Sequence, residues 1–537
     1  RALEERTADY YGERKSLLIW RDGTERPVPM DHLVIADLSR WAYRPHGEQV
    51  AVDPRLGRLA FSPRAEPKTG VWVTYHYGFS ANVGGGEYER RLRRPRRAVL
   101  RRPPPPPSQQ QQQQQQPPSA STSKRPHIYL VSQQHAGKLY FDSINRALDA
   151  WRADEPEEAF IQIEDSGAYV EQIEIRLGWN QRLEIRAADG TRPVIRLLDW
   201  YANRPDSLTI YGPTPDEGED GARLRDANYL VREQGQAPGE GREFEQSGGA
   251  FELEEEAIGD STARRAEPAQ GERPRLKPSL TFDGLLVVGR SVQVVGALSR
   301  VRFRHCTLVP GWSLDTDSYP ESETEPSIEL TDTTARLIVE HSIVGSIVVN
   351  LDEVAAEPLD IEISDSVLDA THPELQALYG PDNTHAHARL RLVRSTVFGT
   401  VRTHAFALAE NSIFDGHVAV ARTQTGCVRF CYVPPGSRTP RRYNCQPDLV
   451  TAGVEDAEQR AEAETRVRPR FASERYGTPA YCQLSETCAE EITRGADDES
   501  EMGVFHDLFQ PQREANLRAR LDEFTPAGMD AGIIFVT

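Results

Sequence analysis

A mainly β fold, specifically a right-handed parallel β-helix, is predicted by a degenerate repeat between about Val301 and Val433. The copies are VRFRHCTLV from Val301, LIVEHSIVG from Leu337, IEISDSVLD from Ile361, LRLVRSTVFG from Leu390, FALAENSIFDG from Phe406 and VRFCYV from Val428. Each begins with alternating apolar and polar residues, the period of a strand. Each then breaks at a polar pair and presents a second short apolar run, often closed by Gly or Asp, which reads as a corner and another strand. The copies start roughly 16 to 36 residues apart, within or near the range of solenoid repeats. One strand cannot bury its apolar side alone, whereas coil stacked on coil makes a continuous core. The expected molecule is a rigid rod.

The 537 residues suggest two to four domains. A hydrophobic content of 38 % is low for a wholly globular chain, so some stretches are expected to be disordered. A formal charge of −19 argues against a general nucleic-acid binder. Only five of the 63 basic residues are Lys, an Arg bias that fits a GC-rich bacterial genome. No apolar run approaches the ~20 residues of a membrane helix. The first residue is Arg rather than Met, so the start reads as incomplete and a signal peptide is left open.

Residues 1–89 read as a small β-rich module. LLIW from Leu17, the apolar run after His32, RLAF from Arg58 and an alternating aromatic and β-branched run from Val71 are its strands. Gly84-Gly85-Gly86 reads as its flexible exit. Residues 90–124 read as a linker: eight Arg between Arg90 and Arg102, five Pro, then a Gln tract. The arginines lack interleaved aromatics, so a solvated hinge is expected rather than a phosphate-binding strip.

The β-helix is expected over 125–447. It opens with a strand at Ile128 and an amphipathic helix capped by Ser143. A strand–Gly-x-Tyr–strand run follows at 159–175. This order resembles the entry of pectin-esterase-like and pectate-lyase-like β-helices, where a short helix closes an end that would otherwise invite edge pairing. A stretch rich in Glu, Gly, Pro and Arg at about 212–278 reads as a loop thrown out from one coil. Residues 448–537 read as an α/β segment: a charged stretch at 455–466, helical or disordered, a helix with Leu517, Leu521 and Phe524 on one face, and a closing strand at 532–536.

The six cysteines are Cys306, Cys427, Cys431, Cys445, Cys482 and Cys488. Their spacings match no common zinc site. Two readings stand: disulfides among Cys427, Cys431 and Cys445 or between Cys482 and Cys488, or buried free thiols, a role that suits Cys306.

An enzyme acting on pectin-like polymers needs outward carboxylates stacked on successive coils, and Asp365, Asp369 and Asp415 could line up. Asp is also common at corners, which favours a structural role. No dense acidic cluster for Ca²⁺ appears in the repeats. The metal-ligand candidates are His385, His387, His404 and His417, since His-x-His places two rings on one strand face and neighbouring coils can add others. The stretch around His385 and His387 reads as a loop. No phosphate loop, nucleophile elbow or His-Glu-x-x-His is present. No catalytic residue and no cofactor is expected.

Two segments are familiar together. VDPRLGRLAF from Val52, followed by VTYHYGFS from Val73 and GGGEY from Gly84, resembles a module in large structural proteins encoded with bacterial phage-tail-like particles. RGADDESEMGVFHDLFQPQREANLRARLDE from Arg494 resembles the closing segment of the same proteins. The resemblance, to proteins associated with extracellular contractile injection systems, implies a non-enzymatic structural or adhesive component of such a particle, and it carries no catalytic residues. Other particle or filament proteins and surface glycans are the expected partners, with homo-oligomers open. The expected location is bacterial, on the particle or outside the cell. The alternatives are a secreted polysaccharide lyase, esterase or hydrolase of the same fold, and a surface or filament-forming protein.

Overall fold

The computed structural model describes residues 7–103, 125–197, 208–214, 275–527 and 529, apart from 13–14, 16, 23–25, 55–56, 69, 76–80, 94, 96–97, 136–138, 316–318, 352, 355 and 479. The glutamine tract, the body of the acidic insertion, the end of the aromatic run from Val71 and the closing strand therefore lie outside the described residues.

Short strands with period-two burial build a mainly β structure dominated by long parallel sheets. Three ladders run through it. The first contains Val99–Arg101, His127–Val131, Glu158–Ile163, Arg182–Ala187, Ser279–Asp283, Arg300–Arg304, Arg336–Glu340, Leu359–Ser364, Ala386–Val393, the second part of Thr400–Glu410, Val428–Arg429 and Arg442–Tyr443. The second contains Ala168–Val170, Val194–Arg196, Leu286–Val288, Thr307–Leu308, Ile343–Val344, Val367–Asp369, Thr396–Phe398 and Ile413–Phe414. The third contains Glu174–Arg176, Leu208–Tyr211, Val292–Gly296, Ile328–Thr333, Ile347–Asn350, Gln376–Tyr379, the first part of Thr400–Glu410 and Val418–Val420. From Glu158 onward the chain visits first, second and third ladder in that order, coil after coil, an arrangement compatible with a solenoid.

The core lies between the ladders. Ile161, Ile185, Phe282, Phe303, Val339, Ile363 and Leu392 occupy one in-register column of the first ladder, all buried. Phe282 and Phe303 stack in it with centroids 5.2 Å apart. Burying each such side chain contributes about 1.5–3 kcal/mol. On the outer side of the same ladder, Arg302 pairs with Glu340 at 3.1 Å and Arg389 with Asp360 at 2.7 Å, joining successive coils.

The corner between the first and second ladders explains the polar pair in each repeat. His305, His341, Asp365, Arg394, Asn411, Phe430 and Asn444 all adopt left-handed backbone there, with φ between 44° and 51°. The next residue points inward and is small: Cys306, Ser342, Ser366, Ser395, Ser412, Cys431 or Cys445, each at most 1 % exposed. The N–H groups of Cys306, Ser342, Ser366 and Ser395 donate to the hydroxyl of the following coil's serine at 3.0–3.2 Å. Each of those serines in turn donates to a carbonyl two residues back. The buried polar groups of this corner are thereby paired.

Helix Ile144–Asp154 closes the first coils, as its Ser143 cap and apolar spacing predict; Ser143 Oγ accepts from Arg146 N, and Ile144, Ala147, Leu148 and Trp151 enter the core. Glu171 accepts from the Ile144 and Asn145 N–H groups at its N-terminus. Within the stretch expected to be a linker, Arg90 is buried and Val99–Arg101 pairs with His127–Val131. The N-terminal module has its own core of Tyr11, Leu18, Ile19, Val28, Val50 and Val52. Leu17–Arg21 pairs with Val71–Tyr75, and Val50–Asp53 pairs with both Leu33–Ile35 and Arg58–Phe61.

Candidate functional site

The strands of the second ladder carry apolar residues on both faces. Leu308, Val344, Leu368, Val397 and Phe414 point into the core. Ile343, Val367, Phe398, Ile413 and Tyr432 are also buried, but in separate outer clusters. Two segments from opposite ends of the chain cover them. Val83 and its neighbours pack on Ile343 and Val367, while Phe471, Tyr481, Cys482, Val504 and Phe505 cover Phe398, and Ile492 and Met502 cover Ile413.

Both segments use the same seat. Gly84 N–H donates to the His341 carbonyl at 2.7 Å, and Gly85 N–H to Thr307 Oγ1 at 2.9 Å. Gly503 N–H donates to the Asn411 carbonyl at 2.8 Å, and Val504 N–H to Thr396 Oγ1 at 3.1 Å. Thr307 is in register with Ile343, and Thr396 with Ile413. A Cβ on Gly84 would stand 2.5 Å from Thr307 Oγ1 and 3.1 Å from Ile343; on Gly503 it would stand 2.6 Å from Thr396 Oγ1 and 3.1 Å from Ile413. The Gly84–Gly86 run, expected to be a flexible exit, is buried instead, and Gly84 and Gly85 let backbone come close to the second ladder. Tyr88 OH then meets His305 Nδ1 at 3.0 Å, and the buried Arg90 donates to the carbonyls of Gly86 and Ala188.

The three aspartates lie on or beside this face and are engaged there. Asp365 receives both Arg394 Nε, at 2.6 Å, and Nη2, at 2.8 Å. Asp369 accepts from Tyr481 OH at 2.6 Å and from Thr371 N–H at 2.7 Å; burial pushes its carboxyl up to about 6. Asp415 lies two strands further on with Phe398 between, 3.7 Å from Arg468, and burial raises its carboxyl too. Two raised carboxyls, Asp369 and Asp415, thus lie beneath the chain's own closing segment.

The histidines separate. Strand Ala386–Val393 takes in His387, which sits edge-on to His404 with centroids 5.2 Å apart. His387 is buried with Nε2 2.9 Å from the Ala356 carbonyl, and burial lowers the His404 pKa. His385 precedes the strand, and His417 is exposed on another coil. Among the described residues, the one convergent group of three metal-ligating side chains lies elsewhere.

The six cysteines are free thiols, and Cys306, Cys431 and Cys445 fill the serine position of the corner. An open polar hollow of about 580 Å³ lies at the far end of the coils, lined by residues that include Ser437, Arg438, Thr439, Arg442, Asp448 and Glu464.

The seat residues Thr307, Ile343, Thr396 and Ile413 escaped the sequence reading. Their signal was the second short run of each repeat, apolar without alternation, the pattern of strands covered on both faces. No protein family, curated protein or solved structure matches this chain.

Proposed function

We propose that the three ladders close into one right-handed parallel β-helix and that this rod is a non-enzymatic structural or adhesive component of a phage-tail-like, contractile-injection particle. Right-handed crossover is the rule for parallel strands joined within one sheet. The observation that carries the structural reading is the sealing of the second ladder: the face bearing Asp369 and Asp415 is occupied by the chain's own closing segment. The sealing segments, around Gly84 and Gly503, are among those whose sequences resemble particle proteins. Helix Gln510–Phe524 adds a means of attachment, since Leu517 and Phe524 are 46 % and 72 % exposed. The polar hollow beside Arg438 and Arg442 offers donors for a surface glycan. Among the described residues no helix is long and apolar enough to cross a membrane.

The test is to tag the protein in its native host, purify high-mass particles and identify what co-sediments by mass spectrometry. Sheath, tube or baseplate proteins in stoichiometric amounts are expected. A protein that stays alone in the supernatant overturns the particle assignment. The second reading, a polysaccharide-cleaving enzyme, is favoured by the raised carboxyls of Asp369 and Asp415. It requires segment 468–482 to move away, and cleavage of acidic polysaccharides that is lost in Asp415→Asn would establish it.

A further inference from the structure

We propose that Asp497, Asp498 and His506 bind one divalent transition-metal cation, with zinc the best match, and that this ion ties the two sides of the loop that seats Gly503 together, beside the corner at Asn411. The three ligand atoms lie within 4.8 Å of one another. His506 Nε2 is 3.2 Å from Asp498 Oδ1 and 4.0 Å from Asp497 Oδ1. A tetrahedral ion with bonds of about 2.1 Å holds its ligand atoms about 3.4 Å apart, so these separations bracket what zinc needs.

The donor set suits a cation. His506 is 6 % exposed, and its Nδ1 faces Asp507 Oδ1 at 3.3 Å. With Nδ1–H donating to Asp507, Nε2 presents a lone pair. That lone pair looks toward two carboxylate oxygens, which also only accept. The Asn411 amide, 3.4 Å from Nε2, offers this group an N–H, and a metal ion would neutralise all three acceptors at once. An imidazole whose far nitrogen is held by a carboxylate is the arrangement that orients a metal-ligating histidine. Asp507 is itself placed by Arg394, 3.6 Å away, which forks Asp365 on its other side.

The surroundings set the remaining ligands in place. Asn411 Nδ2 donates to Asp497 Oδ1 at 2.6 Å and lies 3.4 Å from His506 Nε2; Asn411 Oδ1 accepts from Asp497 N–H. Asp498 Oδ1 accepts from Ser500 N–H at 3.0 Å. Asp497 and Asp498 keep side-chain exposures of 46 % and 41 %, so an ion enters from solvent and retains water as its fourth ligand. Borderline ions suit a mixed imidazole and carboxylate set, whereas calcium prefers oxygen alone. The ion would join Asp497 and Asp498 to His506, the two sides of the loop that seats Gly503, while Asn411 holds Asp497 from the coil.

The experiment uses the untagged full chain, stripped with EDTA and titrated with ZnCl₂ by calorimetry, alongside protease digestion of the closing segment. One equivalent of zinc is expected to bind and slow cleavage after residue 490. Asp498→Asn, at an accessible position that leaves the core intact, should weaken zinc at least tenfold. His506→Gln should do the same, and His387→Gln should leave zinc binding unchanged. Cobalt in place of zinc should give tetrahedral absorption bands that Asp498→Asn removes. Absence of stoichiometric zinc binding, or binding that survives Asp498→Asn but is lost in His387→Gln, would overturn the proposal. The first result would leave the cluster as hydrogen-bonded side chains around Asn411.

Discussion

Gly84 and Gly503, from opposite ends of the chain, occupy equivalent seats on the second ladder: each donates its N–H to a corner carbonyl, and each lies against a threonine of one coil and an isoleucine of the next. A strand buried on one face has been given a second cover by the termini. The closing segment that Gly503 seats also places Tyr481 on Asp369 and Arg468 beside Asp415.

Replacing either glycine by alanine should loosen its segment. The φ values, +81° and +97°, already disfavour a side chain, and the added Cβ meets a threonine oxygen. The expected cost is about 1–3 kcal/mol. Limited proteolysis should show Gly503→Ala cut faster after residue 490 and Gly84→Ala cut faster near residue 88, with the strands between unchanged.

The serine corner predicts an unequal pair of substitutions. Ser366→Ala removes the acceptor for Ser342 N–H and leaves that buried group unpaired, a loss of about 1–3 kcal/mol. Ser366→Cys should cost less, because Cys306, Cys431 and Cys445 occupy the same position in other coils. Urea unfolding should order the midpoints as wild type, Ser366→Cys, Ser366→Ala.

Arg90 is 6 % exposed, donates to the carbonyls of Gly86 and Ala188, and lies 3.8 Å from the fully buried Asp283. Arg90→Met should destabilise by roughly 3 kcal/mol, because it strips a partner from a buried carboxylate. Arg304→Met, on the opposite side of Asp283, should cost less, since its side chain is 28 % exposed. Thermal unfolding of the two variants checks the order.

Glu501 is 8 % exposed, and burial pushes its carboxyl up to about 7 from 4.5. Because its folded pKa is raised, its contribution is present below about pH 4.5 and is lost as pH rises through 7. Asp369 acts with the same sign over a window ending near 6. Glu501 therefore contributes a fall in stability between about pH 4.5 and 7, against which His305, lowered by burial to about 4, contributes a rise up to about pH 6.5. Glu501→Gln should remove much of that fall, worth roughly 3 kcal/mol, and should stabilise the protein at pH 8 while changing little at pH 4.5. Melting temperatures across this range provide the measurement.

The sequence by itself determined the strands and the corners. Alternation in VRFRHCTLV and its copies marks the first ladder, and the polar pair that interrupts each copy marks the left-handed turn with its small inward residue. The Ser143 cap and the spacing of Ile144, Ala147, Leu148 and Trp151 specified the closing helix. These features are local: period, capping and turn chemistry act over a few residues. The tertiary structure alone decided what lies against the second ladder. Nothing near Thr396 or Ile413 in sequence names Gly503 or Val504 as their cover, and nothing near Asp369 names Tyr481. The aspartates could be seen to fall on strands or corners, but whether their face was open or sealed depended on segments about a hundred residues away. The histidines show the same limit, since His387 meets His404 only through the register of adjacent coils, whereas His506 meets Asn411 through the docking of the closing segment. Hydrophobic period states which side of a strand is buried, while the identity of the covering chain depends on shape and hydrogen bonding between segments distant in sequence.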